Sequence, residues 1–166
     1  GRKTLRAPAL FLVRGRVADR RNHLGRRDLE EASVTVVEPA VRVIAAGEAR
    51  AREIGVPANI AVLDAAAHMK AFVRMDGALL GSIDIAVNKA RTAALFSMRT
   101  EAIGEFCKPG GTSFGLEQTN GGLVVFAGGI PLTDGRNVVI GAVGVSGGAV
   151  AQDLEIAQAA AAAIAA

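Results

Sequence analysis

Two short apolar runs, Ile60 to Leu63 and Lys70 to Arg74, are separated only by Asp64 to Met69. Parallel neighbours need a crossover of about a dozen residues or more, so strands joined this closely pair antiparallel. Asp76 and Gly77 end the hairpin. Downstream, Leu123 to Ala127 and Val138 to Val145 read as a second strand pair, with the turn at Asp134 and Gly135. A chain committed to antiparallel pairs covers its sheet with helices, and three helical segments are at hand.

The first opens at Thr35, where Thr35 and Glu38 have the spacing of a capping box and Pro39 falls in the first turn. Ala40, Val43, Ile44, Gly47, Ala51 and Ile54 recur at helical steps, which predicts a helix to about Ile54, stopped by Gly55 with Pro57 behind. Ser82 caps a second helix to about Phe96, with Asp84 in its first turn. Its buried stripe is Ile83, Ala86, Val87, Ala90 and Ala94, while Lys89, Thr92 and Phe96 share a neighbouring face. Gly147 and Gly148 lead into an Ala-rich final helix from about Val150, whose positive N-terminus Asp153 complements. The order is α, β, β, α, β, β, α, with room for one more short strand before Gly121. The fold class is α+β.

A chain of 166 residues that is 51% hydrophobic buries a core without disulfides, and its single cysteine, Cys107, reads as an inert buried thiol. Six Phe with neither Trp nor Tyr leave core volume to Val, Ile, Leu, Ala and Gly, which predicts close helix packing. The net charge of +3 is unevenly divided: residues 1 to 27 hold nine Lys/Arg against Asp19 alone, and the remainder holds ten against fifteen acids. The body is acidic and lacks a basic stripe with stacking aromatics, so nucleic acid is not its partner.

The expected organisation is a basic leader over residues 1–33 and one domain over residues 34–166. The apolar stretch Ala7 to Val13 lies at the lower edge of a signal-peptide core without a clear cleavage site after it. It is also far short of the roughly 20 apolar residues of a transmembrane helix. The protein reads as cytoplasmic, with secretion left open by the leader. Small-residue faces on the first and final helices predict a homo-oligomer of closed symmetry.

Several motifs dissolve on inspection. Gly144, Ser146 and Gly148 match the Gly-x-Ser-x-Gly elbow, but both histidines precede the serine and no base follows it. That turn better presents backbone N–H groups to an anion. Gly110 and Gly111 lack the lysine and helix of a phosphate loop, and Glu101 with Glu105 reads as a solvated face.

Three ordered stretches resemble the GlcG/HbpS family, which includes the C-terminal domain of PduO-type proteins. The first holds Ile60, Leu63, Asp64, His68, Phe72 and the Arg74, Met75, Asp76, Gly77 run. The second is Ser82, Asp84, Ala86, Lys89 to Ala93, Phe96 and Thr100; the third runs from Gly121 through Gly128, Gly129, Pro131, Gly141 and Gly144 to Gly148 and Asp153. Two departures stand out: Ala66 and Ala67 where many members carry glycines, and a first helix without histidine.

The resemblance implies a profilin-like sheet of five antiparallel strands flanked by helices, assembly into homo-oligomers, and haem or another tetrapyrrole as cofactor. The axial-ligand candidates are His68, at the hairpin, and His23, in the leader; Met75, Met98 and Cys107 read as core. The ligand site is expected from His68, Arg74, Asp76, Lys89, Thr92, Phe96, Thr100, Ser146 and Gly147. Arg74, Asp76 and Lys89 form either a structural charge cluster or the polar end of a pocket for a small anionic organic ligand. The alternative to haem binding is a cofactor-independent enzyme of small-molecule catabolism, acting on a carboxylated or enolic substrate, and a scaffold without a ligand is the third class.

Overall fold

A computed structural model describes residues 38–164, so the leader, Thr35 of the expected capping box and His23 lie outside the described residues. Helix α1 is Glu38–Glu53, strands β1 and β2 are Asn59–Asp64 and Met69–Arg74, and α2 is Gly81–Phe96. A further helix, α3, spans Thr100–Cys107; a 3-10 turn at Leu116–Gln118 follows, then β3 at Gly129–Thr133, β4 at Val139–Ser146 and α4 at Val150–Ala162. The four strands pair antiparallel in the order β2-β1-β4-β3.

The sheet is covered on both faces. Ile60, Val62, Ile130, Leu132, Val143 and Val145 point to α1 and α4, whose Val43, Ala51, Ile156, Ala157 and Ala160 complete the larger core. Ala61, Leu63 and Ala142 point to α2 and meet Ala86, Ala90, Ala93 and Ala94. The central strand β1 is therefore buried along nearly its whole length. Small residues let α2 lie almost on the backbone of β4: a Cβ on Gly144 would run into the backbone of Ala86 and Ala90, and one on Gly129 into that of Lys89. Core clusters without an aromatic side chain and close packing are two sides of one design.

The Asp64 to Met69 connection closes as expected. Asp64 Oδ1 accepts the N–H groups of Ala66 (3.0 Å) and His68 (2.9 Å), and Ala67 takes the left-handed conformation at φ 63°, one that glycine adopts most readily. Gly55, at φ 68°, ends α1 in the left-handed conformation expected of it.

Three expectations are corrected. The sheet has four strands among the described residues rather than five, since the segment before Gly121 is the 3-10 turn. Leu123 to Ala127 is not a strand. It buries Leu123 and Ala127 as irregular chain and donates the Val124 N–H to Thr92 Oγ1 (3.1 Å); Gly128, at φ 116°, then turns it into the ladder that begins at Gly129. Pro131 argues against a central strand at Gly129–Thr133, and the segment is indeed an edge, where proline is tolerated. Lastly, the small-residue faces of α1 and α4 meet each other inside the chain, with Gly47 set against Ile60 and Ala160, and so are not free for a second subunit.

Candidate functional site

Lys89 is the key to the interior. It sits in the middle of α2 with its side chain fully enclosed, and its ammonium donates to Val145 O and to Asp153 Oδ2, both at 2.8 Å. The Phe126 ring lies 4.6 Å from the same nitrogen. Asp153, in the first turn of α4, accepts the N–H groups of Gly147 and Gly148 on its other oxygen, each at 3.0 Å. One carboxylate thus ties α2, the end of β4 and the start of α4 together. Burial lowers the proton affinity of Lys89, and Asp153, with the charge of Glu101, only partly offsets it.

This arrangement changes the meaning of several expected ligand contacts. The backbone donors at Gly147 and Gly148 are engaged by Asp153 rather than presented to an outside anion. Thr92 and Thr100 are buried: Thr92 Oγ1 accepts from Val124, and Thr100 Oγ1 accepts the Gly129 N–H at 3.0 Å. Ser146 is buried opposite Asn59, and Phe96 is partly buried at the end of α2. Asn59 donates its amide to Leu79 O at 3.0 Å, and its Oδ1 has no hydrogen-bond partner among the described residues. The sequence reading missed both the Lys89–Asp153 pair and Asn59. Asp153 was legible as a helix-start acid, but only the tertiary fold places it 64 positions away against Lys89.

The remaining expected residues occupy separate surface concavities. Arg74 donates to Ala78 O (3.3 Å) and, with Asp76, lines a cavity of about 360 Å³ walled by Glu48, Arg52 and Met75. His68 stands at the hairpin with its side chain 79% exposed and Nδ1 3.7 Å from Asp64 Oδ1. Asp64 and Lys70 are the charged members of an apolar crevice of about 230 Å³, lined by Pro39, Val62, Leu132, Ile140 and Ile164. A third concavity, about 500 Å³, lies among Glu101, Cys107, Glu117, Val125 and Phe126. Burial and Glu117 push the Cys107 thiol up, in keeping with an inert core group. Among the described residues, no cluster of three His, Cys, Asp or Glu side chains is placed to hold a metal ion, and no helix is long and apolar enough to cross a membrane.

Burial works against the Asp64 carboxylate, yet the His68 and Ala66 N–H groups, the imidazole and Lys70 outweigh it and hold its carboxyl below the usual range. Asp134 is held low in the same way by the Val138 N–H and by Arg136. A carboxyl depressed in the folded state stabilises above its unfolded pKa and loses that contribution as pH falls through the folded value. Wild-type stability is therefore expected to drop below about pH 4, and the gap to Asp134→Asn should close over the same range in thermal melts. A gap independent of pH would show that Asp134 acts through the shape of its turn alone.

The described structure defines a small α+β domain: helices on both faces of a four-stranded antiparallel sheet, a buried lysine–aspartate tie inside, and its concavities at the periphery. The chain belongs to the HbpS-like family, whose model, described as haem degrading protein HbpS-like, matches residues 37–162. It is 39% identical over 131 residues to the 15.0 kDa protein of the dhaT-dhaS intergenic region of Citrobacter freundii, covering 78% of this chain and 91% of that one. It is 41% identical over 108 residues to the protein GlcG of Escherichia coli K12, covering 64% and 77%. Among solved structures, the PduOC:heme complex superposes with a TM-score of 0.73 at 36% identity, over 76% of this chain and 92% of that one.

Proposed function

We propose that this protein binds haem or a related tetrapyrrole at the hairpin end of the sheet. The observation that carries the reading is His68, an open imidazole whose Nδ1 lies 3.7 Å from Asp64 Oδ1, where Asp64 and Lys70 in turn border an apolar crevice that His68 itself does not line. At 3.7 Å the Asp64 carboxylate makes no hydrogen bond to the ring, and the largely exposed imidazole stands open to a metal. The family match and the haem complex of PduOC support it.

The residues fit such a group as a partly exposed ligand. The crevice, at about 230 Å³, is smaller than an enclosed small-molecule site of roughly 300 Å³ or more, so it takes an edge of the macrocycle rather than the whole. His68 would hold the iron and Lys70 a propionate, while Val62, Leu132 and Ile140 would line the ring edge. Haem, when bound, supplies iron-centred redox and oxygen chemistry. An exposed site exchanges its ligand readily and excludes little water, which favours storage or sensing over degradation. The catabolic-enzyme alternative loses its main cation, because Lys89 is enclosed and already paired.

Titration of the full chain with haemin is expected to give a saturable Soret shift at micromolar concentration. His68→Ala should weaken it about tenfold or more, while His23→Ala leaves it in place. No saturable shift would remove the function. An unchanged titration in His68→Ala would remove this site.

A further inference from the structure

The three surface concavities differ in charge. The hairpin crevice sets Asp64 against Lys70, and the cavity beside Arg74 sets Glu48 and Asp76 against Arg52 and Arg74. The third, of about 500 Å³, holds Glu101, Glu105 and Glu117 against Lys108 alone, and its apolar wall includes Phe126 and Val150, both exposed. This wall is closely built: a Cβ on Gly104 of α3 would run into Val125 O, and the Leu123 N–H bonds Glu117 O at 2.8 Å. Glu101 reaches Arg99 at 3.6 Å with one oxygen, and Glu105 pairs with Lys108. The Oε2 atoms of Glu101 and Glu117 are shut off from solvent and have no hydrogen-bond partner among the described residues. An enclosed carboxylate oxygen without a donor is costly until a cation or an N–H reaches it. A metal ion does not answer this need, since no three ligating side chains among the described residues are placed to hold one.

The missing cations are in the leader. Residues 1–27 hold nine Lys/Arg against Asp19 alone, and they fall outside residues 37–162 that the family model matches. Within them the apolar stretch Ala7 to Val13 is bracketed by Arg6 on one side and by Arg14 and Arg16 on the other. We propose that this stretch docks on its own chain in the concavity between α3 and the start of α4. Its apolar residues cover Val125, Phe126 and Val150, and its arginines meet the carboxylates of the part-exposed Glu101 and Glu117. The tether permits it: the chain between Val13 and Glu38 spans up to about 80 Å, against a radius of gyration of about 14 Å for a domain of this size. Every face is within reach, so charge makes the choice, and the third concavity is the one of the three with a net negative lining. Tethering also supplies an effective concentration on the order of 1 mM, so modest contacts suffice. The concavity shares no lining residue with the hairpin crevice, and docking leaves the place proposed for haem open.

The test uses the full chain with the buried native thiol removed by Cys107→Ala. Leu10→Cys with Val150→Cys should oxidise to a disulfide within one chain at low micromolar protein, mapped by mass spectrometry. Leu10→Cys with Ile140→Cys, at the hairpin crevice, should not. Glu117→Lys should slow the first linkage about tenfold or more, and Arg14→Glu added to it should recover most of the rate. Arg14→Glu alone leaves the described residues unaltered and should give the same loss, so a variant that merely unfolds cannot imitate the result. Salt at about 1 M, where the screening length is about 3 Å, should slow the linkage severalfold. Equal linkage to the two partner positions, linkage between chains in place of linkage within one, indifference to both charge reversals, or failure of the swap to recover the rate would overturn the proposal.

Discussion

Asp153→Ala is expected to cost about 3–5 kcal/mol of folding stability, the range for removing one partner of a buried ion pair. The substitution leaves the Lys89 ammonium enclosed with only Val145 O and the Phe126 ring, and it strips the Gly147 and Gly148 N–H groups of their acceptor. In a domain of this size the melting temperature should fall by about 10 to 20 °C. The loss should also depend on pH. Without the carboxylate, burial is the main influence on Lys89, and its pKa falls further. The fold then carries the cost of a buried cation at neutral pH and recovers as pH rises toward about 10.4, the unfolded lysine value. Lys89→Met together with Asp153→Leu should restore the part of the loss that comes from the enclosed charge, because two apolar groups need no desolvation of charge, while the Gly147 and Gly148 N–H groups still lack their acceptor. A loss below about 1 kcal/mol in Asp153→Ala, measured by denaturant unfolding, would show that water reaches the pair and that it is not a core tie.

Gly144→Ala is the second large effect. The added methyl has no free volume: it meets the backbone of Ala86 and Ala90, which cannot rotate aside as a long side chain does. Either α2 lifts from β4 or the strand bends, at a cost of about 3 kcal/mol. Because α2 also carries Lys89, a lifted helix should stretch the tie to Asp153, so Gly144→Ala and Asp153→Ala should combine with a smaller total than their sum. Gly135→Ala, in the turn before β4 with open space around its Cβ position, is the control and should stay within about 0.5 kcal/mol of wild type. Equal stability of Gly144→Ala and wild type would mean that the contact between α2 and β4 is looser than the geometry shows.

Much of the architecture is legible in local pattern. The stop at Gly55, the hairpin at Asp64 to Met69, the second helix ending at Phe96 and the start of the last helix at Val150 all follow from turn chemistry and helical period. These signals live within a few residues of the feature they report. The reading failed where one segment's fate depends on another. Leu123 to Ala127 is as apolar as a strand, but its place beside the sheet is taken by Gly129–Thr133, whose proline suits it to an edge. The helix at Thr100–Cys107 shows no local signal beyond Glu101 and Glu105 standing a turn apart, since its short apolar face has meaning only against the rest of the core.

The candidate site divides in the same way. His68 is readable as an open hairpin histidine because turns lie on the surface. Lys89 carries no local sign of its burial: it lies on a helix face that looks amphipathic in isolation, and its partner is 64 positions along the chain. The residues alone determined the first, second and final helices, the antiparallel pairing within the first hairpin, the small-residue packing and the family resemblance. The tertiary structure alone decided which apolar run became the edge strand, that the small faces of α1 and α4 cover each other, and that Lys89 is a sealed structural cation. The physical reason is that periodicity and turn chemistry act over a few residues, whereas desolvation of a charge depends on every segment that closes around it.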